Sequence, residues 1–256
     1  MPSLLSYYRN YLNDNSGNQG GQGAPPSFVT SFSDTLQVSD PNNPDSGSLD
    51  GSKWIFATDR PANNSSPLNV AGYIISVSSK DSINCLQWQL IGAANPAVSA
   101  YAVILPIITY QGLYGLTQFA QCINIQTVNA NGEGVYGVCV LANPITRSGL
   151  SAYFLGVYTT NHNWFLNRLS AGTDVILANG STNSIVDGDI LRLSADMSVV
   201  GQVTLTAKKN GSILTTFVDT TNRLTLGSPG LCAKQTTQGA SAPKSEWRTF
   251  SCGAGL

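Results

Sequence analysis

Charged side chains are scarce in this sequence. They make up 11% of its 256 residues, against about 25% in an ordinary soluble protein. The formal net charge is −1, so the chain offers no electrostatic attraction to phosphate backbones or anionic membranes. We therefore expect neither nucleic acid nor a membrane as a partner.

Cysteine and histidine are also few. The chain has one histidine and an odd number of cysteines, with no CxxC pair: Cys85, Cys122, Cys139, Cys232 and Cys252. This pattern argues against a disulfide framework, a structural zinc site and a Ser-His-Asp arrangement. We expect buried free thiols, with no metal and no cofactor.

Long apolar runs are missing as well, and no internal window of 12 or more residues keeps a helical period. The longest apolar run, 100–108, contains Pro106 and is far shorter than the roughly 20 residues that a membrane helix needs. The first fifteen residues show neither the apolar core nor the cleavage site of a signal peptide. An extracellular protein without a signal peptide has a few explanations. Assembly into a virus particle in the host cytoplasm is one of them.

The N-terminal segment predicts an arm followed by a linker. Within residues 1–12, one side of a short helix capped by Ser3 would carry Leu4, Leu5, Tyr8, Tyr11 and Leu12. So short a helix is unstable alone in water, so we expect it to dock on its own domain or on a partner. Residues 13–27 are rich in Gly, Asn and Gln, a composition typical of a flexible linker.

From residue 28 to 256 the pattern is that of short strands. Apolar and polar residues alternate in many segments, and Gly, Asn, Asp or Pro separate most of them. Asn210-Gly211 between two such segments is a strong hairpin signal. Asp187-Gly188 and Asn131-Gly132 indicate further turns. The sequence predicts one all-β domain, a two-sheet antiparallel sandwich.

Residues 186–231 resemble the C-terminal half of concanavalin A-like lectin and glucanase domains, especially the laminin G-like domains of phage and bacterial surface proteins. The similarity lies in a Gly-Asp turn, a hairpin, an Asp after it and a Gly-x-Pro-Gly turn. Here these are Gly188-Asp189, Asn210-Gly211, Asp219 and Gly227-Ser228-Pro229-Gly230. The resemblance implies a jelly roll.

Both ends of the body extend this resemblance. Residues 32–54 resemble the family's opening, an Asp-rich segment before a Gly-x-x-Trp strand. Residues 245–253 resemble its last strand, which pairs with the first. Residues 92–125 depart from the family's spacing, and their strands are not assigned.

The glucanase branch of the family uses two carboxylates close together on one strand. This chain has only two glutamates, Glu133 and Glu246, and no Glu-x-Asp-x-Glu cluster. Asp187 and Asp189 flank a turn glycine, and aspartate side chains at such positions typically accept hydrogen bonds from the backbone of the turn. We expect no glycosidase activity.

Calcium is an alternative ligand, because lectins of this fold often bind it through loop oxygens. Five candidates share one loop: Asp40, Asn42, Asn43, Asp45 and Asp50. They lack EF-hand spacing, and a solvated, turn-rich loop is the interpretation we favour.

A sugar site requires an aromatic face beside amides. The best cluster lies between two strand patterns and contains Tyr158, Asn161, His162, Asn163 and Trp164. In one interpretation the indole is exposed and stacks on a glycan. In the other, Trp164 belongs to the core and the asparagines only form the turn. The remaining tryptophans lie within strand patterns and are expected in the core: Trp54, Trp88 and Trp247.

Together these features favour a non-enzymatic structural protein of a virion, either a capsid decoration (cement) protein or a fibre or tail component. Its arm would dock on other virion proteins, its lectin-like body would contact host glycans, and we expect a homo-oligomer in the assembly. The alternative is a carbohydrate-binding module of a secreted or cell-surface bacterial protein, which would be extracellular. An active hydrolase is least favoured.

Overall fold

A computed structural model describes residues 31–34, 54–58, 70–77, 84–91, 100–106, 116–125, 134–143, 150–158, 161–170, 173–181, 184–235 and 245–255. The predicted arm, the linker, the Asp-rich loop and the Asn131-Gly132 turn lie outside these ranges. The regular structure within them consists of strands. None of it is a helix long and apolar enough to cross a membrane.

The strands are numbered in chain order. They are β1 (Ser31–Asp34), β2 (Trp54–Thr58), β3 (Val70–Val77), β4 (Asn84–Ile91), β5 (Ala100–Pro106), β6 (Thr117–Ile125), β7 (Gly134–Asn143), β8 (Ser151–Tyr158), β9 (Trp164–Ser170), β10 (Thr173–Gly180), β11 (Ile190–Asp196), β12 (Val203–Lys209), β13 (Ser212–Asp219), β14 (Ser228–Gln235) and β15 (Ser245–Gly255).

The strands form two antiparallel sheets. Sheet I has the order β13-β12-β11-β6-β15-β4-β3, and β1 also pairs with β15; sheet II has the order β10-β9-β8-β7-β14-β5-β2. The first and last strands pair from Ser31 opposite Gly253 to Asp34 opposite Phe250. The predicted all-β sandwich and the predicted pairing of its two ends are therefore confirmed.

The β12–β13 hairpin forms where the sequence predicted it. Asn210 and Gly211 both have positive φ, 49° and 83°, as the two central residues of a tight hairpin turn require. The Asn210 side chain also accepts a hydrogen bond from the Ile190 N–H at 2.8 Å. The turn is thereby tied to the neighbouring strand β11.

The main core lies between the sheets. Inward residues alternate along β11, where Leu191, Leu193 and Ala195 are buried while the residues between them are more exposed. Trp54 and Trp247 belong to this core, as predicted. The side chain of Trp88 lies outside the described residues.

A second apolar cluster covers the other face of sheet II. Along β8, Tyr153 and Leu155 point into the main core, whereas Ala152 and Phe154 point to this second cluster. The rings of Phe154 and Phe165 meet edge to face, 5.3 Å apart. Both faces of these strands are buried, which explains their nearly continuous apolar sequence.

The cysteines with described side chains carry free, buried thiols, as predicted: Cys122, Cys139, Cys232 and Cys252. Burial raises the pKa of the Cys252 thiol to about 12 and raises that of Cys122 further. Protonated, buried thiols are poor nucleophiles and poor metal ligands. These residues therefore contribute to packing.

A buried polar network joins the two sheets. Asp219, at the end of β13, accepts hydrogen bonds of 2.6 Å from the Tyr153 hydroxyl and from the Arg168 guanidinium. Its other oxygen accepts the Thr221 N–H at 3.1 Å, and the Tyr153 hydroxyl accepts the Leu224 N–H at 3.1 Å. Burial, followed by the bond to Asp219, raises the pKa of Tyr153 well above its ordinary value. The tyrosine therefore stays protonated and continues to donate.

Candidate functional site

The turn between β8 and β9 is held by its own backbone. The Tyr158 N–H donates to the Asn163 carbonyl and the His162 N–H donates to the Tyr158 carbonyl, both at 3.0 Å. His162 has a φ of 60°, and the Asn161 side chain accepts the Asn163 N–H at 2.9 Å. The Ile185 N–H donates to the His162 carbonyl. Asn161 and His162 therefore build the turn.

Trp164, the first residue of β9, belongs to the core. Only 6% of its surface is exposed, and it packs in the main core cluster. The interpretation with an exposed indole that stacks on a sugar is therefore wrong, and the alternative, in which Trp164 belongs to the core, is confirmed. The physical reason is that the alternation of β9 sends Trp164, with Leu166, to the interior between the sheets.

A glycine on β10 makes room for this indole. A bulge between Ile176 and Ala178 shifts the register so that Gly180 lies opposite Trp164. A Cβ added at Gly180 would come within 2.6 Å of the indole Cζ2 and 2.8 Å of Nε1. Only glycine allows this close approach of backbone and ring.

A cavity of about 140 Å³ lies beside the indole, between the β8–β9 turn and β10. It is lined by Tyr158, Asn163, Trp164, Phe165, Ile176, Asn179, Gly180 and Ser181. A cavity needs a volume of at least about 10–15 Å³, measured in the same way, to hold one water molecule. This cavity therefore has room for a group of several heavy atoms.

The walls of the cavity combine apolar and polar groups. The Tyr158 and Phe165 rings lie 4.6 Å apart, and Ile176 is 54% exposed. Asn163, Asn179 and Ser181 supply neutral polar groups. Such a mixture of aromatic and amide walls is typical of sites for small uncharged ligands.

One donor of this wall has no acceptor. The Trp164 Nε1–H is buried, and no hydrogen-bond partner for it exists among the described residues. It lies next to Gly180, which also lines the cavity. A buried donor without an acceptor is costly in a folded protein. The Nε1 atom has almost no accessible surface, so a ligand in the cavity does not reach it.

The predicted sugar cluster is thus brought together in part. Tyr158, Asn163 and Trp164 line the cavity, whereas Asn161 and His162 are not among the lining residues. Sequence reasoning missed the residues that β9 and β10 contribute: Phe165, Ile176, Asn179, Gly180 and Ser181. Asn179-Gly180 looks like an ordinary turn signal, and only the register across β9 and β10 reveals its position.

The outer face of sheet I is a second open surface. The Arg192 guanidinium lies over the Phe119 ring, 3.9 Å from its centroid, an arrangement typical of cation–π contacts. Ser194 stands opposite Phe119 on one side and opposite Thr206 on the other. Thr216, opposite Thr206 on β13, is exposed. The residues of this face named above are mostly neutral and polar.

Asp189, one of the two aspartates at the Gly188 turn, is engaged in structural contacts. Its carboxylate accepts the Val186 N–H at 2.7 Å and the Asn210 amide at 2.6 Å, and it pairs with Lys209 at 3.0 Å. Burial raises the pKa of Asp189, but these hydrogen bonds outweigh it and the pKa lies below its ordinary value. A general acid requires the opposite shift.

The other candidate carboxylates do not form a visible pair. Asp187 is exposed, and Asp174 is held by the Asn167 amide and by Lys234. Glu133 and the side chain of Glu246 lie outside the described residues. Across the part of the chain that the structure describes, no three His, Cys, Asp or Glu side chains are close enough to hold a metal ion.

Comparison with known proteins supports the architecture. No protein-family model matches the sequence, and a search of curated proteins found no match. Among solved structures, a protein of unknown function from Shewanella oneidensis MR-1 superposes with a TM-score of 0.51 at 12% identity, covering 100% of this chain and 97% of its own. This likeness shows a shared fold.

Two solved structures with names that indicate carbohydrates are less similar. The carbohydrate-binding module CBM66 from Bacillus subtilis has a TM-score of 0.40 at 10% identity, covering 76% of this chain and 94% of that one. A Bacillus licheniformis beta-glucanase has a TM-score of 0.44 at 11% identity, covering 88% and 98%.

The sheet order and the pairing of the chain ends identify the fold class. Two antiparallel sheets, with the last strand paired beside the first, form a jelly-roll sandwich. The resemblance in the sequence predicted this class, and the prediction is confirmed. The architecture is used for both lectins and glycosidases, so function has to be argued from the site.

Proposed function

We propose that this protein is a non-catalytic carbohydrate-binding jelly roll that serves as a structural and attachment component of a virus particle. The observation that carries the binding part is the cavity beside Trp164. It places the half-buried Tyr158 and the neutral amides of Asn163 and Asn179 beside a space large enough for part of a sugar.

Sugars suit these walls because they have apolar C–H faces and many hydroxyl or amide groups. Tyr158 offers aromatic surface, while Asn163 and Asn179 offer both donors and acceptors. No charged side chain is among the lining residues. An uncharged part of a glycan is therefore the ligand that the cavity favours.

The proposal that the protein is not an enzyme rests on the contacts and the exposure of two aspartate carboxylates. Asp189 is held as an anion by three donors and is committed to a turn. Its low pKa prevents it from delivering a proton at neutral pH. Asp187 beside it is exposed to water, whereas a catalytic acid typically lies in a partly buried, apolar site.

The particle role rests on the sequence outside the described residues. A segment of twelve residues with one apolar side, carried on a flexible linker, is suited to docking on a neighbouring protein. The scarcity of charge and the laminin G-like resemblance fit a virion surface component. The alternative, a carbohydrate-binding module of a bacterial surface protein, needs the same glycan site but no assembly arm.

Blocking the cavity should weaken glycan binding. Asn179 is an exposed lining residue, so Asn179→Tyr should fill the cavity mouth with little effect on folding. We expect at least about a tenfold loss of affinity, because aromatic and hydrogen-bond contacts in one subsite contribute about 1–3 kcal/mol. Titration of the purified protein with the glycan selected on an array measures it.

The matched control is Thr216→Tyr, at an exposed position on the outer face of sheet I. This variant should bind like the wild type. If Thr216→Tyr loses binding while Asn179→Tyr retains it, the ligand lies on sheet I and the cavity assignment is wrong.

The arm should be required for assembly. In the full chain, Leu4→Asp with Leu5→Asp places charge on the apolar side of the predicted helix, where burial against a partner is then strongly unfavourable. We expect normal folding and glycan binding but little incorporation into particles, measured by quantitative mass spectrometry of purified virions. Asn10→Asp, on the polar side, is the control. Full incorporation of the double variant would contradict the particle role.

A further inference from the structure

We infer that β13, the strand at one edge of sheet I, pairs with β13 of a second copy of this chain, so that sheet I continues across a two-fold axis. This assigns a surface to the homo-oligomer that the sequence favours. The inference does not depend on glycan binding. It follows from the position, the composition and the exposed side chains of the strand.

Strand β13 has a neighbour on one side only. Among the described residues it pairs with β12, from Val203 opposite Asp219 to Lys209 opposite Ser212, and no further backbone hydrogen bond of the strand is found there. Backbone N–H and C=O groups along its other side therefore form a row open to another strand. With eight residues, the strand is longer than the usual five or six.

The composition of β13 leaves this edge unprotected. Soluble proteins commonly protect an edge strand with lysine, proline or a bulge. The strand, SILTTFVD, has neither lysine nor proline. Its one charged residue, Asp219, is buried in the ion pair with Arg168, and its one bulge, at Leu214, lies close to the hairpin turn. Residues 215–218 are left regular and neutral.

Strand β10, the edge of sheet II, shows the protection that β13 lacks. The two strands contact each other across the same side of the sandwich. The pairing of β10 with β9 is interrupted by a bulge between Ile176 and Ala178, and the strand carries a charge, Asp174, near its start. Of these two neighbouring edges, β13 is therefore the one suited to accept a partner strand.

An identical strand is the partner that suits this edge. Residues 213–218 have the sequence ILTTFV, six residues of high β-propensity without charge, proline or glycine, and such segments pair readily with copies of themselves. Antiparallel pairing of two copies forms a closed, two-fold symmetric dimer. Like charges directly opposite each other would be destabilising, and these six residues bring none to the axis.

The alternation of the strand determines which side chains meet. Thr216 lies on the outer face, opposite Thr206, whereas Phe217 packs against the main core. Side chains that face each other across two strands lie on the same side of a sheet, so an axis at Thr216 brings the two copies of this threonine together. Ile213 and Val218, 62% and 46% exposed, flank the axis and become partly buried against the second copy.

The association state of the full chain tests the inference. Light scattering after size exclusion should give a dimer, with twice the chain mass of 27.0 kDa. Thr216→Lys with Val218→Lys changes two exposed side chains of the edge, so the variant should fold normally. We expect its dissociation constant, measured by sedimentation, to rise at least about a hundredfold, because like charges that meet across an interface disfavour association.

Two control variants keep the edge unchanged. Leu116→Lys with Val200→Lys also replaces two exposed side chains by lysine, but neither position belongs to β13. Leu4→Asp with Leu5→Asp changes the predicted arm. Both variants should form the dimer like the wild type.

Amide hydrogen exchange of the wild type gives an independent readout. Peptides that cover 212–219 should exchange more slowly in concentrated than in dilute protein, because pairing with the second copy protects the outward N–H groups of β13. Peptides that cover 203–209 should change little, since β12 already lies between β11 and β13. The lysine pair on β13 should abolish the slowing.

Three results would overturn the assignment. The first is a wild type that stays monomeric at the highest concentration studied. The second is a dimer that Thr216→Lys with Val218→Lys leaves intact. The third is a dimer that either control variant dissociates as strongly, which would place the association elsewhere.

Discussion

Asp219→Ala should lower the free energy of unfolding by about 3–5 kcal/mol, because it leaves a buried guanidinium without its counter-ion. Arg168 and Asp219 pair at 2.6 Å with side chains only 10% and 3% exposed. The substitution also removes the acceptor of the Tyr153 hydroxyl. Urea unfolding followed by tryptophan fluorescence measures the loss.

The control for this substitution is Asp196→Ala. Asp196 accepts a backbone N–H from Ser198 at 2.8 Å, much as Asp219 accepts one from Thr221, but it is exposed and no ion pair of it is seen among the described residues. Its loss should cost a small fraction of the Asp219 effect. Equal effects of the two substitutions would mean that the inter-sheet network adds no stability.

Trp164→Ala should be comparably destabilising. Truncation of a buried tryptophan removes about 3–5 kcal/mol, which lowers the thermal midpoint by roughly 2–4 °C per kcal/mol in a domain of this size. Differential scanning calorimetry of the full chain measures it, and Trp247→Ala gives the reference for a fully buried indole.

The result distinguishes the two interpretations of the β8–β9 turn. An exposed indole would contact little of the protein, and its truncation would leave the midpoint nearly unchanged. A midpoint within about one degree of the wild type would therefore contradict the burial of Trp164 and restore surface stacking on its ring.

Much of the fold could be predicted from local sequence. The Asn210-Gly211 turn and the alternation along β11 and β12 depend only on neighbouring residues, and both are confirmed. The pairing of β1 with β15 was implied by the resemblance and not by any local signal.

The strands between 92 and 125 could not be assigned from the sequence, because polar and apolar residues do not lie on the sides of the strand that their alternation predicts. Along β6, the polar Gln118 is buried and the apolar Phe119 points outward. Gln118 is accommodated by the Leu141 N–H, which donates to its side chain at 2.9 Å, while Phe119 packs under Arg192. Long-range partners therefore reverse the expected sides of this strand.

Only one wall of the cavity could be predicted from the sequence. The β8–β9 turn is local, so Tyr158, Asn163 and Trp164 could be grouped from the sequence. The opposite wall depends on a bulge in β10 that places Gly180 against Trp164. A shift of one residue in that register would send Asn179 to the other face, and no local pattern specifies it.

The most direct test of carbohydrate binding without catalysis is equilibrium titration of the purified protein with an oligosaccharide, followed by mass spectrometry of the recovered ligand. We predict saturable binding that Asn179→Tyr weakens at least about tenfold, with the ligand recovered intact from about pH 4 to pH 8. Cleaved ligand whose production stops in Asp187→Asn or Asp189→Asn, or binding unaffected by Asn179→Tyr, would contradict it.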